Sequence, residues 1–299
     1  MNVYLGDNNT RLIPNDIVVS WVLRSDLVPV PRTIELVVQN KNGIDKELVE
    51  GAVFWSGYEN FKYSIIKVVK SASTQPIQGD SPMQIFTVFA VLDNMKSICY
   101  RMDRAAILRP TTIGEMYRAC GAQIVIEQDI EIDSFSCFVG QVPSYAFAMV
   151  FQEQCARALI GLNGKLTIAR IPDLLKQKPK DEIGQADTTD KIDSEFIERH
   201  EIPSFYSIDE NGSVVKGNFD DARQIQYKPV KSIDILNNMT KVLVTRRIVD
   251  SDLNQLINAG DVLRVNGKNY LVITAAHYAY RYDGIAQTGS KFWIGDLAV

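Results

Sequence analysis

Four Asn-Gly dipeptides, at Asn42-Gly43, Asn163-Gly164, Asn211-Gly212 and Asn266-Gly267, punctuate this chain of 299 residues. An Asn-Gly pair supplies the two positive-φ residues that a two-residue type I′ hairpin needs. Where apolar and β-branched runs flank it, the chain has to double back as antiparallel strands. The strongest instance is Val262-Leu263-Arg264-Val265, then Asn266-Gly267, then Tyr270-Leu271-Val272-Ile273. Thr33–Val38 precedes Asn42-Gly43 in the same manner. Further strands are expected over 61–69 and 84–92, separated by a Pro/Gly/Ser-rich loop over Ser71–Pro82. Residues 1–100 therefore read as an all-β domain, a sandwich or small barrel.

The pattern changes near residue 103. Thr112-Ile113-Gly114-Glu115 is a T-x-x-E capping box that opens a helix running to Cys120, where Gly121 stops it. A second helix is expected from Pro143-Ser144 to Gly161, because Phe147, Phe151, Cys155 and Leu159 recur at helical spacing. Strands are expected over Gln123–Asp133, Ser134–Val139 and Lys165–Ile171. Together these make an α/β unit, with Pro172–Glu195 as an exposed, charged linker. From Val242 to Ile294 the chain reads as all-β again. The expected organisation is a β domain over 1–100, an α/β middle domain over 101–230 with its linker at 172–195, and a second β segment over 231–299 that takes in earlier strands.

The two β parts share a pattern. Gly51-Ala52-Val53 leads through Gly57 to Tyr63-Ser64-Ile65, and Gly260-Asp261-Val262 leads through Gly267 to Tyr270-Leu271-Val272. This spacing is equally that of two related barrels or of two unrelated hairpins.

Composition narrows the chemistry. The formal net charge is −4 and the isoelectric point about 5.4, a poor basis for gripping nucleic-acid phosphates. Only two histidines, His200 and His277, are available as bases or ligands. His277 sits among alternating residues of a strand and reads as structural. Cys99, Cys120, Cys137 and Cys155 form no C-x-x-C pair and read as buried free thiols of a chain folded in a reducing cytoplasm. The polar start lacks a signal-peptide pattern, and no run approaches the ~20 apolar residues of a bilayer span, so no stable membrane insertion is expected.

Motifs for catalysis are weak. Gly161-Leu162-Asn163-Gly164-Lys165-Leu166 lacks the length and the Ser/Thr of a phosphate loop and reads as a helix end plus hairpin turn. Gly79-Asp80-Ser81 has no matching histidine pattern. Asp209-Glu210-Asn211-Gly212 lacks calcium-loop spacing. No catalytic, cofactor or metal residues are assigned. One feature stands apart: Glu127, Asp129, Glu131 and Asp133 alternate with Ile126, Gln128, Ile130 and Ile132. On one extended strand these four carboxylates would share a face. They read as a solvated face, as the wall of an acidic channel that repels DNA, or as the acid and base of a hydrolase.

The ordered set of segments resembles the baseplate hub proteins of contractile-tailed bacteriophages, related to the hub part of type VI secretion spikes. The likeness is carried by Gly51…Gly57…Tyr63-Ser64-Ile65-Ile66-Lys67-Val68, Leu108-Arg109-Pro110-Thr111-Thr112-Ile113-Gly114-Glu115, Phe138-Val139-Gly140-Gln141-Val142-Pro143, Asn163-Gly164-Lys165-Leu166, and Ala259-Gly260-Asp261-Val262 through Phe292-Trp293-Ile294-Gly295. It covers most of the chain. It implies a β-rich α+β fold, with two tail-tube-like β-barrel domains and an α/β domain between them. It further implies a homotrimer whose six barrels match a hexameric tail tube or tube-initiator protein on one side and a trimeric central spike on the other. Other baseplate proteins would surround it in the virion tail, after assembly in the host cytoplasm, and DNA would pass the channel without specific binding. The alternatives are a cell-wall hydrolase using the acidic residues, and a monomeric β-rich binding module.

Overall fold

The computed structural model describes residues 2–8, 11–41, 43–57, 59–72, 84–184, 188–190, 202–219, 223–229, 231–282 and 285–298. Asn42, Gly79-Asp80-Ser81, His200 and most of the loop expected over Ser71–Pro82 lie outside the described residues.

Alternation of apolar residues builds the long strands. We label β1 Val18–Asp26, β2 Arg32–Gln39, β3 Val53–Ser56, β4 Phe61–Ala72 and β5 Gln84–Leu92 in the first part of the chain. In the second part, β6 is Thr188–Asp190, β7 Leu243–Ser251, β8 Val262–Val265, β9 Lys268–Tyr282 and β10 Ile285–Leu297. In β2 the buried residues are Arg32, Ile34, Leu36 and Val38, every second position, as one covered sheet face demands. Asn266 and Gly267 have φ of 51° and 78°, and Val265 pairs directly with Lys268, so the two-residue turn between β8 and β9 forms as expected.

These strands belong to one sheet of 13 strands, in the order β6-β7-β10-β9-β1-β2-β5-β4-β3, continued by Val3–Leu5 and Arg11–Leu12. β8 pairs with the near end of β9, and Asp181–Ile183 runs parallel beside β8. The strands of the first hundred residues and those of the last sixty are thus hydrogen-bonded to one another, through β9 and β1.

Between β5 and β6 lies the α/β unit. Helix α1, Ile113–Ala119, carries the expected capping box: Thr112 accepts from the Glu115 N–H, and Glu115 accepts from the Thr112 N–H. Helix α2 covers only Pro143–Glu153, not the span to Gly161. Cys155 takes φ of 48°, which ends the helix, and Ala156–Ile160 is a strand paired with Leu166–Arg170. Its five residues bury every second side chain, Ala156, Ala158 and Ile160, on the core that holds Phe147 and Phe151, while Leu159 packs with Cys155 on the other side. The Gly161–Lys165 segment is accordingly a turn between two strands, not a helix end.

The stretch 172–195 is only partly the linker expected. It begins in the short helix Ile171–Leu175 and delivers Asp181–Ile183 and β6 to the sheet. A small unit follows, in which Ser204–Ile208 pairs with Val214–Lys216 and Ile225–Tyr227. It packs on the helix Ile233–Met239 around Phe205, Leu236 and Met239.

The largest core joins the inner faces of the first-part strands (Leu23, Leu36, Phe54, Ile65, Val88) to Met116, Tyr117, Phe147 and Phe151 of α1 and α2. A second core lies within the last part, around Val249, Leu263, Val272, Phe292 and Ile294. All four cysteines are free thiols, as expected; Cys120, Cys137 and Cys155 are buried, but Cys99 is only partly so. No described helix is long and apolar enough to cross a membrane.

Candidate assembly surface

Ten of the thirteen strands of the sheet fall into two five-stranded units of the same order. In the first the order is β1-β2-β5-β4-β3, and in the second it is β6-β7-β10-β9-β8. All their corresponding neighbours are antiparallel. The match extends to single hydrogen bonds. Gly51 donates to the Ile65 carbonyl at 2.8 Å, and Gly260 donates to the Val272 carbonyl at 2.8 Å. Ile65 donates back to Ala52 at 2.9 Å, and Val272 to Asp261 at 2.8 Å. Gly51 and Gly260 share a left-handed backbone, with φ of 87° and 94°.

Each long strand then bulges at the same place. The register shifts between Ile65 and Lys67 in β4, and between Val272 and Thr274 in β9. A bulge bends a strand and sharpens its twist, so it re-aims everything beyond it. The shared Gly…Tyr-x-(Ile/Val) pattern read from the sequence is the trace of this equivalence.

Beyond its bulge β9 acquires a new neighbour. Thr274 to Tyr280 pair antiparallel with Asp26 to Ser20 of β1, which joins the second unit to the first. Side chains fasten this junction. Thr274 Oγ1 donates to Asp26 at 2.5 Å, and Ser25 Oγ accepts from the Ala259 N–H at 2.9 Å. Behind the sheet, Arg32 Nη2 lies 3.0 and 2.9 Å from the two Glu59 oxygens, and Arg32 Nη1 is 3.2 Å from Asn258 Oδ1. Phe61 lies under the guanidinium, 5.4 Å from its ring centre. Arg32 and Glu59 belong to the first unit and Asn258 to the second, so this buried cluster spans the junction. Burial beside it pushes the Tyr63 hydroxyl up to about 12. His277 is buried too, with Nδ1 2.9 Å from Ser290 Oγ, and burial followed by the nearby Arg32 charge lowers it to about 4. The burial expected for His277 in the strand is observed, although only one of its ring nitrogens has a hydrogen-bond partner among the described residues.

The equivalent edge in the first unit has no such neighbour. Beyond its bulge β4 pairs with β5 alone among the described residues, whereas β9 at the same point pairs with both β10 and β1. At the opposite end of the sheet β6, the counterpart of β1, pairs with β7 alone among the described residues. Such edges are unsatisfied rows of N–H and C=O groups.

The four acids expected on one strand fall on separate segments. Glu127 lies in the short strand Ile126–Gln128, where Asn163 Nδ2 donates to it at 3.2 Å and Lys165 stands 3.8 Å away. Asp129 follows that strand, and its Oδ1 accepts from the N–H groups of Gly114 at 2.9 Å and Ile130 at 2.8 Å. It is therefore tied to the start of α1. Glu131 pairs opposite Thr112 in a two-residue strand, and Asp133 lies in the bend before Phe135. All four are exposed, and none lies on the large sheet. The break in the strand comes from Asp129, whose side chain competes for backbone donors.

Neither the Arg32 cluster nor the role of β6 was visible in the sequence. A lone Arg between Pro31 and Thr33 gives no sign of burial, and Thr188-Thr189-Asp190 has no apolar alternation.

No protein-family profile matches the chain, and no curated protein matches it in sequence. Solved structures do match. A 43 kDa prophage tail protein from Shewanella oneidensis aligns over 98% of this chain and 98% of its own, with a TM-score of 0.65 at 11% identity. A tail protein from Neisseria meningitidis aligns over 99% of this chain and 95% of its own, with a TM-score of 0.62 at 10% identity. An Escherichia coli component of the type VI secretion system, itself described as structurally similar to tail proteins of bacteriophage T4, aligns over 95% of this chain and 74% of its own, with a TM-score of 0.53 at 10% identity. The chain has the fold of these tail proteins, as the sequence resemblance implied.

Proposed function

We propose that this chain is a structural component of a phage-type tail, acting as a baseplate hub. Three copies would close into a ring in which six related β units surround an axial channel. The ring would present sixfold-like symmetry to a hexameric tail tube or its initiator, and threefold symmetry to a central spike, with other baseplate proteins around it. The observation that carries this reading is the internal repeat, two equivalent five-stranded units joined edge to edge in one chain. A chain holding two like units needs only threefold assembly to offer six, and heterologous contacts between copies close such a ring.

The repeat supports a division into two tube-like units. One tube-like unit is built from β1–β5 and the other from β6–β10, with the α/β unit packed behind the first. The open sheet face is suited to DNA passage without retention. Arg24 is paired with Asp26 at 3.1 Å and Lys291 with Asp250 at 3.1 Å, which leaves less positive charge for phosphates. The acids Glu127, Asp129, Glu131 and Asp133 are proposed as a solvated face of the α/β unit, with Asp129 serving α1.

Negative-stain imaging of the purified chain tests the reading. The expected particle is a ring with six lobes and a central hole. Compact particles without a hole would contradict it.

A further inference from the structure

The internal junction specifies how one copy of this chain would join the next. We propose that the free edge of β4 in one copy takes β6 of the neighbouring copy as an antiparallel partner, with Lys70 opposite Asp190, Ser71 opposite Thr189 and Ala72 opposite Thr188. This rests on the ring reading above and adds the seam and its register.

The register is read from three sets of pairings. Tyr63-Ser64-Ile65-Ile66 matches Tyr270-Leu271-Val272-Ile273, so Lys70, Ser71 and Ala72 stand where His277, Tyr278 and Ala279 stand in β9. In β9 these three pair with Leu23, Val22 and Trp21 of β1. The positions of β1 are transferred to β6 through their common neighbour. Trp21, Val22 and Leu23 pair with Leu36, Glu35 and Ile34, just as Thr188, Thr189 and Asp190 pair with Val249, Ile248 and Arg247. The two sets match because Ile34 lies opposite Ala90 and Arg247 opposite Ile294, while Ala90 lies opposite Ile65 and Ile294 opposite Val272.

Two independent features favour a second copy as the occupant. The edge of β4 and the edge of β6 correspond to the two members of the internal junction and are both left open among the described residues, so each copy offers one of each. The transferred register also sets a lysine opposite an aspartate, a cross-strand pair of opposite sign. Lys70 is exposed and rests its ammonium 5.5 Å from the Phe86 ring, with no carboxylate partner among the described residues. In the internal junction the same places hold buried His277 and Leu23. The seam between copies would therefore be the charged version of a buried, uncharged one.

Cysteine cross-linking reads the register directly. Directly opposed residues of antiparallel strands have Cα atoms about 4.5–5.5 Å apart, within disulfide reach, whereas diagonal neighbours lie about 7–8 Å apart. The full chain carrying K70C and D190C is oxidised mildly beside K70C with T188C and beside the unsubstituted chain. Sedimentation of each before oxidation reports assembly. The expected result is covalent dimer and trimer from K70C/D190C, at least tenfold above both controls. Assembled trimer with no excess cross-linking over K70C/T188C would overturn this register and leave the ring reading standing. Absence of trimer in the unsubstituted chain would overturn both. Charge reversal supplies a second readout. K70E is expected to weaken assembly at least tenfold, and D190K added to it to restore assembly. Failure of that rescue in a folded double variant would overturn the Lys70–Asp190 pairing.

Discussion

Arg32 and Glu59 form an ion pair with both side chains essentially inaccessible, 0% and 3% exposed, at the point where the two β units meet. Two charges leave water there, and neither has solvent to fall back on when the other is removed. Asn258, from the second unit, accepts from the guanidinium Nη1 at 3.2 Å, while the buried Nε finds no hydrogen-bond partner among the described residues. The pair therefore ties the Glu59 turn to the junction.

Removing one partner is expected to cost more than removing both. Arg32→Met or Glu59→Gln leaves an uncompensated buried charge and is expected to destabilise the fold by about 3–5 kcal/mol. The double variant Arg32→Met with Glu59→Leu is expected to recover a large part of that loss. Urea denaturation of the three variants checks this, and equal, additive losses would contradict it.

Stability is expected to fall in mild acid through His277. Its folded-state value is about 4, while an unfolded histidine titrates near ~6.5. The folded state therefore binds fewer protons, so the contribution is fully present above ~6.5 and is lost as pH falls towards 4, amounting to about 3 kcal/mol. The check is the difference between the unsubstituted chain and His277→Gln in denaturation at pH 7 and pH 4.5. The variant is expected to show a smaller loss, since other groups titrate alike in both.

Gly295 and Gly267 are expected to differ in their tolerance of a methyl group. A Cβ at Gly295 would lie 1.9 Å from the Val244 carbonyl oxygen, where β7 and β10 pair. Gly295→Ala must push these strands apart and is expected to cost about 2–4 kcal/mol. Gly267 faces open space, and its only obstacle is φ of 78°. Gly267→Ala is expected to cost about 1–2 kcal/mol. Thermal unfolding of the two variants gives the order.

Asp129 is expected to matter for stability alone. Asp129→Ala removes the acceptor of the Gly114 and Ile130 N–H groups and is expected to destabilise by about 1–2 kcal/mol. Asp129→Asn keeps an acceptor oxygen and is expected to lose less. Denaturation of both, with peptidoglycan turnover assayed alongside, checks this. Turnover abolished by the Asn variant would contradict the structural assignment.

Local chemistry made much of the fold legible. The Asn266-Gly267 turn, the Thr112 capping box and the boundaries of β5 all follow from residues within a few positions of one another. What escaped was set by distance or by competition. Cys155 ends α2 by adopting a positive φ that no side chain announces, and the Ala156–Ile160 strand continues the same apolar face. Asp129 breaks an acidic strand by taking two backbone donors, one of them 15 residues away. The pairing of Tyr278 with Val22 joins positions far apart in the chain, and nothing in either neighbourhood encodes it. The glycine–tyrosine spacing of the repeat was visible, yet its meaning appeared only with the matching bulges.

In the proposed hub, three copies of this chain close into a ring. Sedimentation velocity of the purified full chain at tens of micromolar tests it most directly. A single species at three times the 33.6 kDa chain mass is the predicted result. A persistent monomer at that concentration would contradict it.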